Sequence, residues 1–325
     1  MKRLLSLALL WGTATAGVQA QPQAHYPTRP ISIVVPYSPG GTTDFSARSL
    51  SEVTTKMLGQ PMIVVNRAGA AGVIGSQLVR NAAPNGYTLL LARAGAQAIT
   101  PAIDSKVPYK WNDFTFISLL EFNPVACVVR ADSAYRSLSD LINDLREHPG
   151  KLNYPDSGPG TIPQMATQVL FSMGKLRRDV AVSVPYKSDA DSSVALLSGQ
   201  VQFMCSNATT FIPLIKSGQL RGLAVGMPER IPDLPDVATA REQGYADLEK
   251  VVGWSALYGP PGLPQDIVDR WQQIMAAVAK DEHWLQLNAR SGSVPAVRSA
   301  GETQRFVREQ FDFYNKLIAE LGIRR

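Results

Sequence analysis

Two glycine-rich turns hold the residues best suited to chemistry. Pro36-Tyr37-Ser38-Pro39-Gly40-Gly41 lies between a β-rich run at 31–36 and a helical segment opened by Thr42-Thr43-Asp44. Tyr154-Pro155-Asp156-Ser157-Gly158-Pro159-Gly160-Thr161 lies between a strand-like run at 152–154 and a helical segment at 161–173. Glycine lets the backbone turn sharply and lets a ligand approach its amides. The first amides of a helix lack internal partners, and the helix dipole favours an anion there. Two such loops at the carboxyl ends of strands therefore predict a cleft for an anionic ligand; two ordinary strand-to-helix turns are the plainer alternative. A third loop, Gly69 to Gly75, has GxxGxxG spacing rather than the dinucleotide fingerprint, and Pro163 occupies the third glycine position counted from Gly158-Pro159-Gly160. The chain contains no GxxxxGK[ST], no GxSxG and no HExxH, and His25, His148 and His283 are scattered. These patterns predict neither cofactor nor metal, although a dispersed active site would leave no local motif.

The elements that position these loops alternate. Strand-like runs at 31–36, 62–65 and 88–92 enclose helical segments at about 42–59 and 75–81, a βαβαβ order that predicts a largely parallel sheet. Two further strands are expected at 114–120 and 125–130. The alternation then restarts, with helices at 137–147, 161–173 and 189–198, and strands at 152–154, 182–184, 201–206 and 220–225. Ser137 with Asp140 three residues on marks the start of the first of these helices. A last strand at 251–258 and helices near 264–280, 281–289 and 301–321 follow, and these helices are expected to pack back on the first lobe. The resulting class is α/β with two lobes: 21–121 plus 226–325 form lobe 1 and 122–225 form lobe 2. The chain crosses between them near 121–127 and 220–227, as in a hinged clam.

Residues 1–20 read as a signal peptide. Lys2 and Arg3 precede an apolar stretch with Leu4, Leu5, Leu7, Leu9 and Leu10, and Val18-Gln19-Ala20 fits a cleavage site after Ala20. A soluble exported protein is expected, periplasmic in a Gram-negative source. Over 325 residues, 45% hydrophobic and 18% charged composition argues for sizeable cores and against general disorder. Lys plus Arg is 32 against 27 Asp plus Glu, for a net +5, part of which leaves with the leader. That mild balance, without a basic stripe interleaved with aromatics, argues against a nucleic-acid partner. Cys127 and Cys205 lie in strand-like runs; an exported chain permits a disulfide, and two buried free thiols fit equally well.

The ordered set of motifs resembles the Bug-type receptors, the extracytoplasmic solute-binding proteins of tripartite tricarboxylate transporters. The resemblance rests on Pro36 to Asp44, Asn66-Arg67 with Gly69 to Gly75, and Ala83-Pro84-Asn85-Gly86-Tyr87-Thr88. It continues in Ser157 to Thr161, Val184-Pro185-Tyr186-Lys187, Leu234-Pro235-Asp236-Val237 and Pro261-Gly262-Leu263-Pro264. It implies a two-lobed periplasmic binding protein fold, type II-like, closing as a Venus flytrap around a small carboxylate. It carries ligand contacts onto Tyr37, Ser38, Gly40 and Gly41, and onto Ser157, Gly158, Gly160 and Thr161, largely through backbone amides and bridging waters. Asp44 matches the family's aspartate and reads as the organiser of its loop.

Several positions depart from the family pattern. Tyr37 replaces the usual Phe and brings a hydroxyl that can face the cleft. Arg93-Ala94-Gly95-Ala96-Gln97 replaces a loop rich in small hydroxyl residues, so Ala96 lacks a contact and Arg93 offers a guanidinium for the ligand's anionic end. A surface salt bridge is the alternative for Arg93. Cys205-Ser206-Asn207 stands where many relatives have Phe-Asp-Asn. Ser206 thereby removes a carboxylate and disfavours ligands with an ammonium, while Asn207 can donate to a carboxylate or cap the next segment. The resemblance implies a monomeric, non-enzymatic receptor whose partners are a small organic acid and the membrane permease subunits. A ligand sensor docking on a signalling partner and a periplasmic enzyme acting on a carboxylate are the alternatives. Dicarboxylates, citrate-like acids, aromatic carboxylates and nicotinate-like compounds all fit, with Tyr37, Phe211 or Trp254 as possible pocket walls.

Overall fold

The computed structural model describes residues 26–158, 160–186 and 188–324. The expected leader and its cleavage site lie outside these residues. The first half begins as β1 (Ile31–Val35), α1 (Thr42–Leu58), β2 (Met62–Asn66), α2 (Val73–Arg80) and β3 (Thr88–Arg93). A π-helical turn at Gly95–Ile99 runs into α3 (Thr100–Ile103), and β4 (Thr115–Asn123) follows. Side chains alternate with period two along β1 and β3. Ile31, Ile33, Val35, Leu89 and Leu91 face one core, while Val34, Leu90 and Ala92 face another. Helix α1 buries Ala47, Leu50, Val53 and Leu58 and ends at Gly59, whose φ of 66° suits the left-handed cap that stops it.

Pro124 links β4 to β5 (Val125–Arg130), which opens the second half. There follow α4 (Leu138–Glu147), β6 (Asn153–Asp156), α5 (Ile162–Met173), β7 (Val182–Pro185), α6 (Asp189–Leu197), β8 (Phe203–Asn207), α7 (Ala208–Lys216) and β9 (Leu220–Val225). Ser137 and Asp140 form the expected reciprocal cap on α4. The chain returns as β10 (Gly253–Gly259), α8 (Gln265–Val278), α9 (Glu282–Arg290), β11 (Val294–Arg298) and α10 (Ala300–Leu321).

The expectation of a largely parallel sheet is corrected. The six-stranded sheet has the order β11-β4-β10-β3-β1-β2. β1 runs parallel to β2 and β3, but β10 is antiparallel to both β3 and β4, and β11 is antiparallel to β4. The returning chain enters between β3 and β4 from the opposite direction, which no local βαβ pattern records. In the second half, β8-β5-β9 is antiparallel throughout and only β6-β7 is parallel. The α/β class with two lobes holds; the strand directions differ from expectation.

Cys127 and Cys205 are opposite one another on β5 and β8 and form a disulfide, with Cα atoms 4.0 Å apart. This settles the alternative of two free thiols.

Helices α8 and α9 do pack on the first sheet, where Trp271, Ile274, Met275 and Trp284 join the core with Leu50 and Val53 of α1. Helix α10 does something else. Near its start, Thr303 Oγ1 accepts from Leu119 N–H of β4 at 2.7 Å. At its middle, Gln310 Nε2 donates to the Lys250 carbonyl at 3.2 Å. At its end, the Leu321 carbonyl accepts from Arg178, beyond α5. A 22-residue helix spans about 33 Å, enough to touch both halves of the molecule.

Candidate functional site

The turn between β1 and α1 is held by Asp44. Its buried carboxylate accepts from Gly40 N–H at 3.0 Å, from Asn66 Nδ2 at 2.9 Å and from Arg48 Nε at 2.9 Å. Asn66 also donates to the Tyr37 carbonyl at 3.2 Å. The Arg48 guanidinium is the largest influence holding the Asp44 carboxyl down at about 2, with the Gly40 amide and Asn66 acting the same way against burial. One side chain thus fixes both ends of the turn, but it consumes the Gly40 amide expected to face a ligand. Ser38, Gly40 and Gly41 are exposed. The N-cap of α1 is Gly41, which supplies no side-chain cap. The amides of Thr42, Thr43 and Asp44 precede the first intrahelical bond, Phe45 N–H to Gly41 O at 3.0 Å.

Tyr37 packs beside the loops after β2 and β3. A Cβ at Gly72 would stand 3.2 Å from the Tyr37 hydroxyl, and one at Gly95 would stand 3.0 Å from it. The phenol therefore turns toward first-half loops rather than simply facing open cleft, and burial pushes its pKa up. Ala96 is fully buried, so its methyl does not face a ligand; its carbonyl accepts from Tyr109 OH at 2.8 Å.

Arg93 is no surface salt bridge. In the sheet register, Ser255 of β10 lies between Arg93 of β3 and Glu121 of β4. Arg93 Nη1 donates to Ser255 Oγ at 2.7 Å and to Asn123 Oδ1 at 2.6 Å. Ser255 Oγ donates on to Glu121 Oε1 at 2.9 Å, which stands 4.0 Å from Arg93. Only 12% of the Arg93 side chain and 4% of the Glu121 side chain are exposed. Burial pushes Glu121 upward, opposed first by the Arg93 charge. The guanidinium is therefore partly neutralised from within the protein.

The second glycine loop is organised from its flanks. Asp156 Oδ1 accepts from Gly158 N–H at 2.8 Å, and Gln164 Oε1 accepts from Gly160 N–H at 3.0 Å. Thr161 Oγ1 donates to the Gly158 carbonyl at 2.8 Å. As at Gly40, the glycine amides expected to serve a ligand are used inside the turn. Ser157 and Thr161 are half-buried, and Thr161 is the N-cap of α5 without capping it through its side chain. Gly160 has φ +83°, and a Cβ there would meet Ile103 Cδ1 at 2.6 Å. The second-half loop therefore sits directly on α3 of the first half.

Asn207 begins α7 without a side-chain cap. Its Oδ1 is buried without a partner among the described residues, and a Cβ at Gly253 would come within 3.1 Å of it. The preceding Ser206 Oγ donates to Asp189 Oδ2 at 2.7 Å. The inference that Ser206 leaves this place without a carboxylate is corrected: Asp189 supplies one from α6. Phe211 and Trp254 are fully buried core residues and not pocket walls.

The structure thus brings Tyr37, Arg93, Gly95 and Ala96 into one first-half cluster, and seats Gly160 against Ile99 and Ile103, which follow it in the chain. Sequence reasoning missed Glu121, Asn123, Asp189 and Ser255, because their proximity depends on β10 insertion and helix packing. Only Asp156 carried a local signal, two residues before a glycine. A contrast among helix starts remains. Helices α4, α6, α9 and α10 are capped by Ser137, Ser188, Asp281 and Ser299, whereas α1 and α5 behind the glycine loops, like α2, α3, α7 and α8, have no side-chain cap. Open amides at a helix start bind carboxylates, not cations.

Two α/β lobes, each with an uncapped helix start behind a glycine loop, suit the capture of an anionic solute. Residues 46–323 match the family model described as tripartite tricarboxylate transporter family receptor, and the chain belongs to that family. It is similar to Protein BugT of Bordetella pertussis, with 31% identity over 99% of this chain and 98% of that one. Among solved structures, it resembles MatC from Rhodopseudomonas palustris with bound malate, at TM-score 0.76 and 27% identity, covering 90% of this chain and 100% of that one. It also resembles a second R. palustris protein with adipate, at TM-score 0.79 and 28% identity, covering 91% and 98%. The periplasmic binding protein BugD is similar at TM-score 0.76 and 29% identity, covering 92% and 99%.

Proposed function

We infer that this protein is a monomeric periplasmic receptor that captures a small dicarboxylate between its lobes. It delivers the closed, loaded form to the permease subunits of a tripartite tricarboxylate-type transporter and performs no catalysis. The observation that carries this reading is the pair of uncapped helix starts, α1 and α5, each behind a glycine turn and contributed by opposite halves. Each start suits one carboxylate. The malate and adipate held by the two R. palustris proteins support a ligand with two such groups. The lobes are assigned as 21–121 plus 226–325 and 122–225, with α10 strapped across both. Ser38, Gly41, Ser157, Thr161 and Asn207 line the ligand side. Asp44, Gly40, Gly158 and Gly160 shape the turns, and Tyr37, Gly95 and Ala96 form the packed floor. Arg93 lends a partly neutralised positive charge. Contacts from both lobes give the closed state its differential affinity.

Thermal unfolding of residues 21–325 with malate, adipate and citrate, each beside its amide, tests this reading. A ligand at 100 times its Kd should stabilise by about 2.7 kcal/mol, a rise of a few degrees. A rise with a diacid and none with its diamide is expected. Equal rises with acid and amide would refute anion capture at the helix starts.

A further inference from the structure

A groove of about 730 Å³ lies away from the two glycine loops, beside the chain crossings. Phe122, just before the Pro124 link, forms one wall, and Met227, just after β9, forms another. Strand β11 contributes Ala296 and Arg298, and α10 contributes Phe306 and Gln310. The volume suits a small molecule. Its apolar surface is aromatic: Phe122 and Phe306 meet edge to face at 5.3 Å, and Phe306 rests on buried Trp254 at 6.0 Å.

The charges around the groove are unevenly committed. Glu249 is held by Arg241 through two bonds of 2.8 and 2.6 Å. Asp247 pairs with Lys250 at 2.7 Å. Glu302, on the next turn beside the groove, keeps its carboxylate on Ser299 N–H at 3.0 Å. Glu229 is an exposed acid that also lines the groove. The Arg298 guanidinium instead lies over both rings, 5.2 Å from the centre of Phe122 and 5.5 Å from that of Phe306. Among the described residues it has no ion-pair partner within 4.0 Å. One helical turn beyond Phe306, Gln310 is 7% exposed, and its Oε1 has no partner among the described residues. The groove is thus bordered by a cation on β11, an aromatic pair from β4 and α10, and, on α10, Gln310 with a buried orphan acceptor.

We propose that this groove is a second small-molecule site, specific for an aromatic acid bearing a ring hydroxyl or amino donor. The acid group pairs with Arg298, the ring stacks in the Phe122–Phe306 wall, and the ring donor satisfies Gln310 Oε1. The site is independent of the carboxylate cleft, since none of the glycine-loop residues lines it.

The test is calorimetric titration of residues 21–325 with 4-hydroxybenzoate, with benzoate and 4-methylphenol as partial probes. One-to-one binding of 4-hydroxybenzoate is expected, with both partial probes weaker by several-fold. R298Q alters an exposed residue and should weaken 4-hydroxybenzoate roughly tenfold or more, the scale of a lost charge-assisted contact. A296W should abolish binding by filling the groove, and thermal unfolding of each variant verifies the fold. Absence of binding by the unaltered protein overturns the proposal. Binding that persists undiminished in both variants also overturns it, and places the probe elsewhere, without touching the cleft reading.

Discussion

Asp44 shows how much one side chain can fix. Its carboxylate joins the Gly40 amide, Asn66 and Arg48, and so ties β1, β2 and α1 at the turn. D44N is expected to lose about 1–3 kcal/mol of stability, because a neutral amide cannot accept all three donors. The Asp44 pKa is lower folded than unfolded, so its contribution is fully present above the usual carboxylate range. It fades as pH falls toward about 2. Stability measured against pH should therefore fall less steeply below pH ~4 in D44N than in the unaltered protein. Arg93 and Glu121 make a different case, because both are buried. R93M alone should cost about 3–5 kcal/mol by stranding Glu121, whereas R93M/E121L should recover most of that loss. A double-mutant cycle by urea unfolding measures the coupling; additive losses would mean the pair does not act as a unit.

Among the elements, the loops before α1 and α5 matter most. Gly160 is favoured by its positive φ, and a Cβ there would push against the Ile103 Cδ1 methyl at 2.6 Å. G160A is expected to weaken ligand binding tenfold or more by lifting the loop off α3, read by titration with the acid the thermal panel identifies. G160A/I103A should recover part of the loss, because it removes the clash but not the backbone strain. Strong periodicity made α1, β1 and β3 readable from sequence, since their alternation and spacing are local. Among the elements that escaped are β11 and α7. β11 is an edge strand containing Pro295, which reads as loop. α7 carries Pro213 in its interior, which masks its helical spacing.

At the scale of the whole molecule, two ties across long stretches of chain stand out. The Cys127–Cys205 disulfide joins β5 to β8 across 78 residues. Loop-closure entropy gives it about 4 kcal/mol, so C127A/C205A should unfold at markedly lower temperature while keeping its secondary structure. Parallel circular dichroism melts with and without the bond measure this; coincident melts would show that the bond contributes nothing. The second tie is α10, whose amphipathic pattern says only that one face is buried. That its start binds β4 and its end binds Arg178 follows from packing, and corrects the expectation that it rests on the first lobe alone.

The sequence by itself determined the α/β class, the two glycine turns, most helices and strands, and the family. Each of these rests on residue types and spacings within a few tens of residues. Only the tertiary structure decided the antiparallel entry of β10, and with it the row Arg93–Ser255–Glu121, formed by residues 28 to 162 positions apart. It also decided that the amides of Gly40, Gly158 and Gly160 serve their own turns, leaving the helix starts behind them for a ligand. Local patterns specify which groups exist; sheet order and packing decide which of them remain free.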